Sequence, residues 1–162
     1  TDACFLYLRK QVQAGADVVQ IFDSWANILD SKQLNDLSLS YIKFLITALK
    51  QDPVTSNIPI ILFAREPSCN SRTLIETSAD CISLYWSMND FDIDLARGKT
   101  ALQGNLDPKI LLESDVIIKN ETYKILDRFK DFPGYIFNLG HGLTPDINPE
   151  KVKYLTEIVR EF

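Results

Sequence analysis

Short apolar runs alternate along this chain with longer stretches in which apolar residues recur every three or four positions. The short runs are ADVVQIF (16–22), IPIILFA (58–64), DCISLYW (80–86), KTALQG (99–104) and GYIFNLG (134–140), bounded by Gly, Pro, Asp or Asn. Runs of this length and composition predict strands, and several show little alternation, as strands buried on both faces do. Helical spacing covers 2–14, 34–50, 71–79, 89–97, 109–131 and 149–162. Within 34–50, Ile42, Leu45, Ile46 and Leu49 fall on one helical stripe and are assigned to the core. The last helix has a marked start, with Asn148 as N-cap, Pro149 in the first turn and Glu150 at the positive end of the helix dipole.

Five strands, each followed by a helix, are repeated βα units, and such units join economically only in a parallel sheet. The expected class is α/β. The first residues of the strands are 42, 22, 19 and 35 positions apart, near the repeat of an eight-unit barrel of about 250 residues. Five units would be only part of such a barrel. An open doubly wound sheet, complete at this length, is the competing architecture, and periodicity alone leaves both open. Neither GxGxxG nor GxxxxGK[ST] occurs, so the phosphate-cradling loops common in open sheets are missing.

Composition narrows the classes. With 162 residues, 46% hydrophobic and 24% charged, the chain reads as one globular domain, 1–162. A net charge of -5 argues against a nucleic-acid or anionic-membrane surface. Cys4, Cys69 and Cys81 are odd in number, widely spaced and without CxxC, which suggests neither a disulfide framework nor a zinc site and fits a cytoplasmic compartment. No run has the length of a membrane span. The sequence begins at Thr1 rather than Met, so a piece of a longer protein is expected.

Both architectures put function at the carboxyl ends of the strands. The residues there are Asp23 and Ser24; Arg65 and Glu66; Trp86, Ser87 and Asn89; Asn105 and Asp107; and His141, the only histidine. Each has a structural reading too. GHG around His141 suits a tight turn, and Asp23-Ser24 suits a cap on the following segment. Asp107 before Pro108 suits an N-cap, Arg65-Glu66 a solvated pair, and Cys81 a small buried hydrophobe.

Three segments carry a family resemblance. GADVVQIFDSWA (15–26), ALQGNLDP (101–108) and YIFNLGHGLTPDINPE (135–150), in this order and at these separations, resemble uroporphyrinogen decarboxylase of haem biosynthesis. The resemblance spans the chain but only the C-terminal half of that enzyme. It implies a partial (β/α)8 barrel whose five units correspond to strands four to eight. It implies stepwise removal of four acetate carboxyl groups from uroporphyrinogen, giving coproporphyrinogen, without metal or organic cofactor. By position, Ser24 and His141 would contact the tetrapyrrole or its carboxylates, and Phe22 would be an apolar wall beside a pyrrole ring. The family's pyrrole-gathering aspartate, its carboxylate-holding arginines and its cleft tyrosine belong to the missing N-terminal half. Partners implied are that half and a second copy in a homodimer, with no nucleic acid and no membrane.

The sequence also departs from the family. Ser83-Leu84-Tyr85-Trp86 replaces the usual GLDW, FAREPSCNS (63–71) lacks the usual glycine-bearing loop, and Asn27 stands where a glycine is common. Related zinc-binding methyltransferases carry histidine two positions before a cysteine, whereas here Pro67 precedes Cys69, which disfavours that chemistry. The alternative to a decarboxylase portion is a non-catalytic α/β binding or scaffold domain derived from the same barrel.

Overall fold

The computed structural model describes residues 1–88 and 90–162. Its elements are α1 (Asp2–Gln13), β1 (Val19–Asp23), α2 (Ser31–Leu34), α3 (Ser40–Gln51), β2 (Ile60–Ala64), α4 (Ser71–Ile75), β3 (Cys81–Ser83), α5 (Ile93–Ala96), β4 (Ala101–Gln103), α6 (Asp115–Phe129), β5 (Tyr135–Ile136) and α7 (Pro149–Glu161). The strands form one sheet in the order β1-β2-β3-β4-β5, with every neighbouring pair parallel. Each strand is added beside its predecessor and the order never reverses. That decides between the two architectures, because a doubly wound sheet requires a reversal point.

Alternation along the strands separates two faces. Val19, Ile60, Leu62, Ala64, Ile82, Leu84 and Leu102 are buried with Leu8 of α1, Leu45, Ile46 and Leu49 of α3, and Leu74 of α4. The predicted stripe on α3 is therefore core. Beyond β4 a second apolar cluster joins Leu106 and Leu111 to Ile118 of α6 and to Leu155 and Ile158 of α7. On the opposite face, Phe22, Phe63, Ser83, Gln103 and Ile136 share one row across the sheet. The middle of that row is buried, with Phe63 6% and Ser83 4% exposed, whereas its ends are open, with Phe22 64% and Ile136 44% exposed. An arc of strands produces this gradient, since β1 and β5 have no outer neighbour.

The helices differ from the predicted spans where side chains cap them. The 34–50 helix begins earlier, because Asp30 and Gln33 form a reciprocal capping box that starts α2, and a π-helical turn at Asn35–Leu39 joins it to α3. The 71–79 helix ends at Ile75, with Asn70 as its cap. The 109–131 helix is broken: Asp107 caps a 3₁₀ turn at Pro108–Leu112, and α6 follows separately. Of 89–97 only Ile93–Ala96 is helical, capped by Asp92, and Asn89 lies outside the described residues. Asn148 caps α7 as the sequence predicts, accepting from the Glu150 amide at 2.9 Å. Among the described residues no helix is long and apolar enough to cross a membrane.

Burial pushes the Cys69 thiol up to about 11, and burial together with the Asp80 carboxylate pushes Cys81 up to about 12. Cys81 is thus the buried small hydrophobe expected, while Cys4 is exposed. The thiolate is the reacting form, so iodoacetamide at about pH 8 should label Cys4 well before the other two. Mass spectrometry should find one early adduct per chain, and rapid triple labelling would contradict this packing. The open strands β1 and β5 present unpaired backbone groups that favour association. Sedimentation of the isolated chain should therefore show self-association that rises with concentration; a monomer at every concentration would contradict it.

Candidate functional site

The open face of the sheet ends in a row of polar side chains. Two residues beyond the Phe22–Ile136 row, the same alternation brings up Ser24, Arg65, Tyr85, Asn105 and Asn138. The ladder runs on far enough to support this placement. The Arg65 amide donates to the Asp23 carbonyl at 3.0 Å, and Leu106 bridges Leu139 in parallel. A cavity of about 450 Å³ opens at this level. Strand β1 and its end contribute Gln20, Phe22 and Ser24, the centre of the sheet contributes Phe63 and Ser83, and the segment after β5 contributes Asn138, Leu139, His141, Gly142 and Leu143. The floor is tied together by Gln103 Nε2, which donates to Ser83 Oγ at 3.0 Å.

All three residues predicted to meet a ligand, Phe22, Ser24 and His141, border this one cavity. They come from the two lateral edges of the sheet, and aromatic rings join them. Phe63 lies 5.9 Å from Phe22 and 6.1 Å from His141 between ring centroids, and Tyr85 meets His141 edge-on at 5.9 Å. Such tilted and edge-to-face contacts suit the ring quadrupoles. The histidine ring therefore lies over the middle of the sheet, in a residue that remains exposed to solvent.

Backbone contact holds the histidine loop there. The Gly140 amide donates to the Leu106 carbonyl at 2.8 Å, and a Cβ on Gly140 would lie 2.3 Å from the Trp86 nitrogen. No side chain fits that space. Trp86 is fixed in turn by Asn105, which is buried and whose Nδ2 donates to the carbonyls of Tyr85 at 3.2 Å and Trp86 at 3.3 Å. The end of β4 thus clamps the end of β3, and the β5 loop seats against it.

The remaining strand-end candidates separate. Asp23 turns to the other side, accepting from the Ser38 hydroxyl and from the Trp25 amide at 3.3 Å, so the capping role belongs to Asp23 alone. Asp107 caps the 3₁₀ turn through the Lys109 amide at 3.0 Å. Arg65 and Glu66 are not a solvated pair. Glu66 is exposed with a φ of 42°, and Arg65 is half-buried with its Nε enclosed and without a hydrogen-bond partner. Trp86 and Ser87 are half-buried, Trp86 as the backbone seat for Gly140. The lining or contacting residues that escaped the sequence reading as site groups include Phe63 and the Tyr85 ring. Phe63 sits in a run apolar on both faces, where alternation leaves no trace.

Chain-ordered parallel strands, helices packed on one face and a cleft across the carboxyl ends define an arc of a (β/α)8 barrel, with the cleft at the end where such barrels carry their sites. The methyltransferase from Methanosarcina mazei shares this fold, with a TM-score of 0.77 and 20% identity over 99% of this chain and 47% of that one. That likeness speaks for the fold alone. The chain belongs to the uroporphyrinogen decarboxylase family: the family model described as Uroporphyrinogen decarboxylase (URO-D) matches residues 1–162. It is similar to the uroporphyrinogen decarboxylase of Aquifex aeolicus, 40% identical over 100% of this chain and 47% of that protein. It is also similar to that of Vesicomyosocius okutanii, 38% identical over 100% of this chain and 47% of the relative. The chain spans about half the length of these relatives, corresponding to their C-terminal part.

The Gly140 seat makes a paired prediction. Gly140→Ala should lower stability by about 1–3 kcal/mol or more, as overpacking against rigid backbone does. Gly142→Ala, where nothing lies within 4 Å of the added carbon, should stay within about 0.5 kcal/mol. Urea unfolding of the two variants checks this, and equal midpoints would contradict the seat.

Proposed function

We propose that residues 1–162 act as one domain forming the C-terminal wall of a uroporphyrinogen decarboxylase active site. The observation that carries this reading is the meeting of Phe22, Ser24 and His141 on one cavity in a chain of this family. The reaction removes the carboxyl groups of four acetate side chains stepwise and leaves methyl groups, giving coproporphyrinogen. A proton added to a pyrrole carbon turns the ring into an electron sink. The bond between the acetate methylene and its carboxylate then breaks, carbon dioxide leaves, and the electron pair moves into the ring. A proton taken up at the methylene carbon completes the methyl group, and loss of the ring proton restores the pyrrole. No metal or organic cofactor is needed for these steps.

Within this scheme the wall binds and orients. The Ser24 hydroxyl donates to one carboxylate, an imidazole N–H of His141 donates to another, and Phe22 lies against a pyrrole face. The residues bordering the cavity include no carboxylate, so the anion that steadies a cationic ring is assigned to the N-terminal half. That half also supplies further cations for a substrate carrying many carboxylates. We place the assembled enzyme in the cytoplasm as a homodimer.

The test is reconstitution of this chain with the N-terminal half of the Aquifex aeolicus relative, followed by assay of the porphyrin products. Conversion of uroporphyrinogen to coproporphyrinogen is expected, and Ser24→Ala and His141→Gln should each slow it by roughly tenfold to a hundredfold, the worth of a hydrogen bond to a charged group. A pair that assembles and binds uroporphyrin without releasing carbon dioxide would replace this reading with a non-catalytic binding domain.

A further inference from the structure

We propose that Arg65 is the cleft's own carboxylate-binding cation, acting beside Ser24 in orienting the substrate. The inference rests on reading the cleft as a polycarboxylate site.

Three observations converge on this residue. Its amide continues the β1–β2 ladder by donating to the Asp23 carbonyl at 3.0 Å, so strand alternation still holds at position 65. That puts its side chain on the face that carries Phe63, directly across from Ser24 on the neighbouring strand. In that polar row of Ser24, Arg65, Tyr85, Asn105 and Asn138 it is the one guanidinium or ammonium group. Finally, its Nε is buried without a hydrogen-bond partner, and no ion pair engages the side chain among the described residues.

A buried N–H of a permanently charged group without a partner is costly and calls for an explanation. Ordinary structural explanations are absent. The neighbouring Glu66 does not pair with Arg65, and Asp23 is taken by Ser38 and the Trp25 amide. The cavity lining contains no carboxylate that would compete for the guanidinium. An incoming carboxylate satisfies the geometry and the charge together, because guanidinium presents planar paired donors that match its two oxygens. Arg65 does not itself line the cavity; the register sets it beside Ser24, which does, and the proposal has it meet a peripheral carboxylate of a large ligand there. Its role is therefore to position the ligand.

The test follows the Arg65 Nε–H by ¹⁵N NMR in this chain, assigned through its disappearance in Arg65→Gln. Two probes are titrated separately: uroporphyrin, and benzenehexacarboxylate as a polycarboxylate without a macrocycle. Both should shift the resonance. Arg65→Gln should weaken uroporphyrin binding by roughly tenfold to a hundredfold, and Arg65→Lys should restore part of the loss. Equal uroporphyrin affinity for the native chain and Arg65→Gln would overturn the inference and leave the tetrapyrrole reading intact. Engagement of Arg65 by benzenehexacarboxylate with no uroporphyrin binding would support the cation site and overturn the tetrapyrrole reading. A resonance unmoved by either probe would overturn the inference without relying on any variant.

Discussion

His141 is fixed by a backbone-to-backbone contact. Gly140 packs against the Trp86 nitrogen, Cα and Cβ, where even a methyl group would collide at 2.3 Å, and Asn105 holds the flanking Tyr85 and Trp86 carbonyls. Three strand ends, β3, β4 and β5, are locked into one unit by an asparagine, a glycine and a carbonyl–amide bond between Leu106 and Gly140. The imidazole needs no hydrogen bond of its own to be placed. It is carried on a loop with one way to sit and rests edge-on against Phe63 and Tyr85.

This clamp explains how residues from opposite edges of a five-stranded arc come to share one cavity. Phe22 and Ser24 rise from β1, while the loop after β5 folds back over the middle of the sheet, and Phe63 touches the rings at both ends. The two faces of the sheet divide the work. Apolar side chains facing the helices hold the fold together, and the opposite face holds a floor of Ser83 and Gln103 under a rim of serine, arginine, tyrosine and asparagine. The resulting wall is apolar with a few polar groups, as a ligand site commonly is.

How much of this was legible in the sequence varied with the kind of signal. The α/β class and the five strands followed from apolar runs, and the marked start at Asn148-Pro149-Glu150 located α7. Periodicity alone left the strand order open, because barrel and open sheet share it; the family resemblance implied the barrel, and the unreversed pairing bears that out. Helix limits failed at the Asp30 capping box and at the break between the Pro108–Leu112 turn and α6, whereas the Asp107 cap was read correctly. The family segments named Phe22, Ser24 and His141, and these three border one cavity. Phe63 was hidden in a run apolar on both faces, and the seat of Gly140 depends on a contact between residues 54 positions apart, which no local pattern encodes. The unpaired Arg65 guanidinium was invisible for a related reason, since sequence adjacency to Glu66 suggested a pair that the backbone turn prevents.

The central claim is that the loop geometry sets His141 over the middle of the sheet. Isotope-edited NOE spectroscopy on the chain in solution measures this most directly. Cross-peaks from the His141 ring protons to the ring protons of both Phe63 and Tyr85 are expected from centroid separations of 6.1 and 5.9 Å. A His141 ring with no cross-peak to either would mean that the loop is not seated on β3, and the account of the cleft would be contradicted.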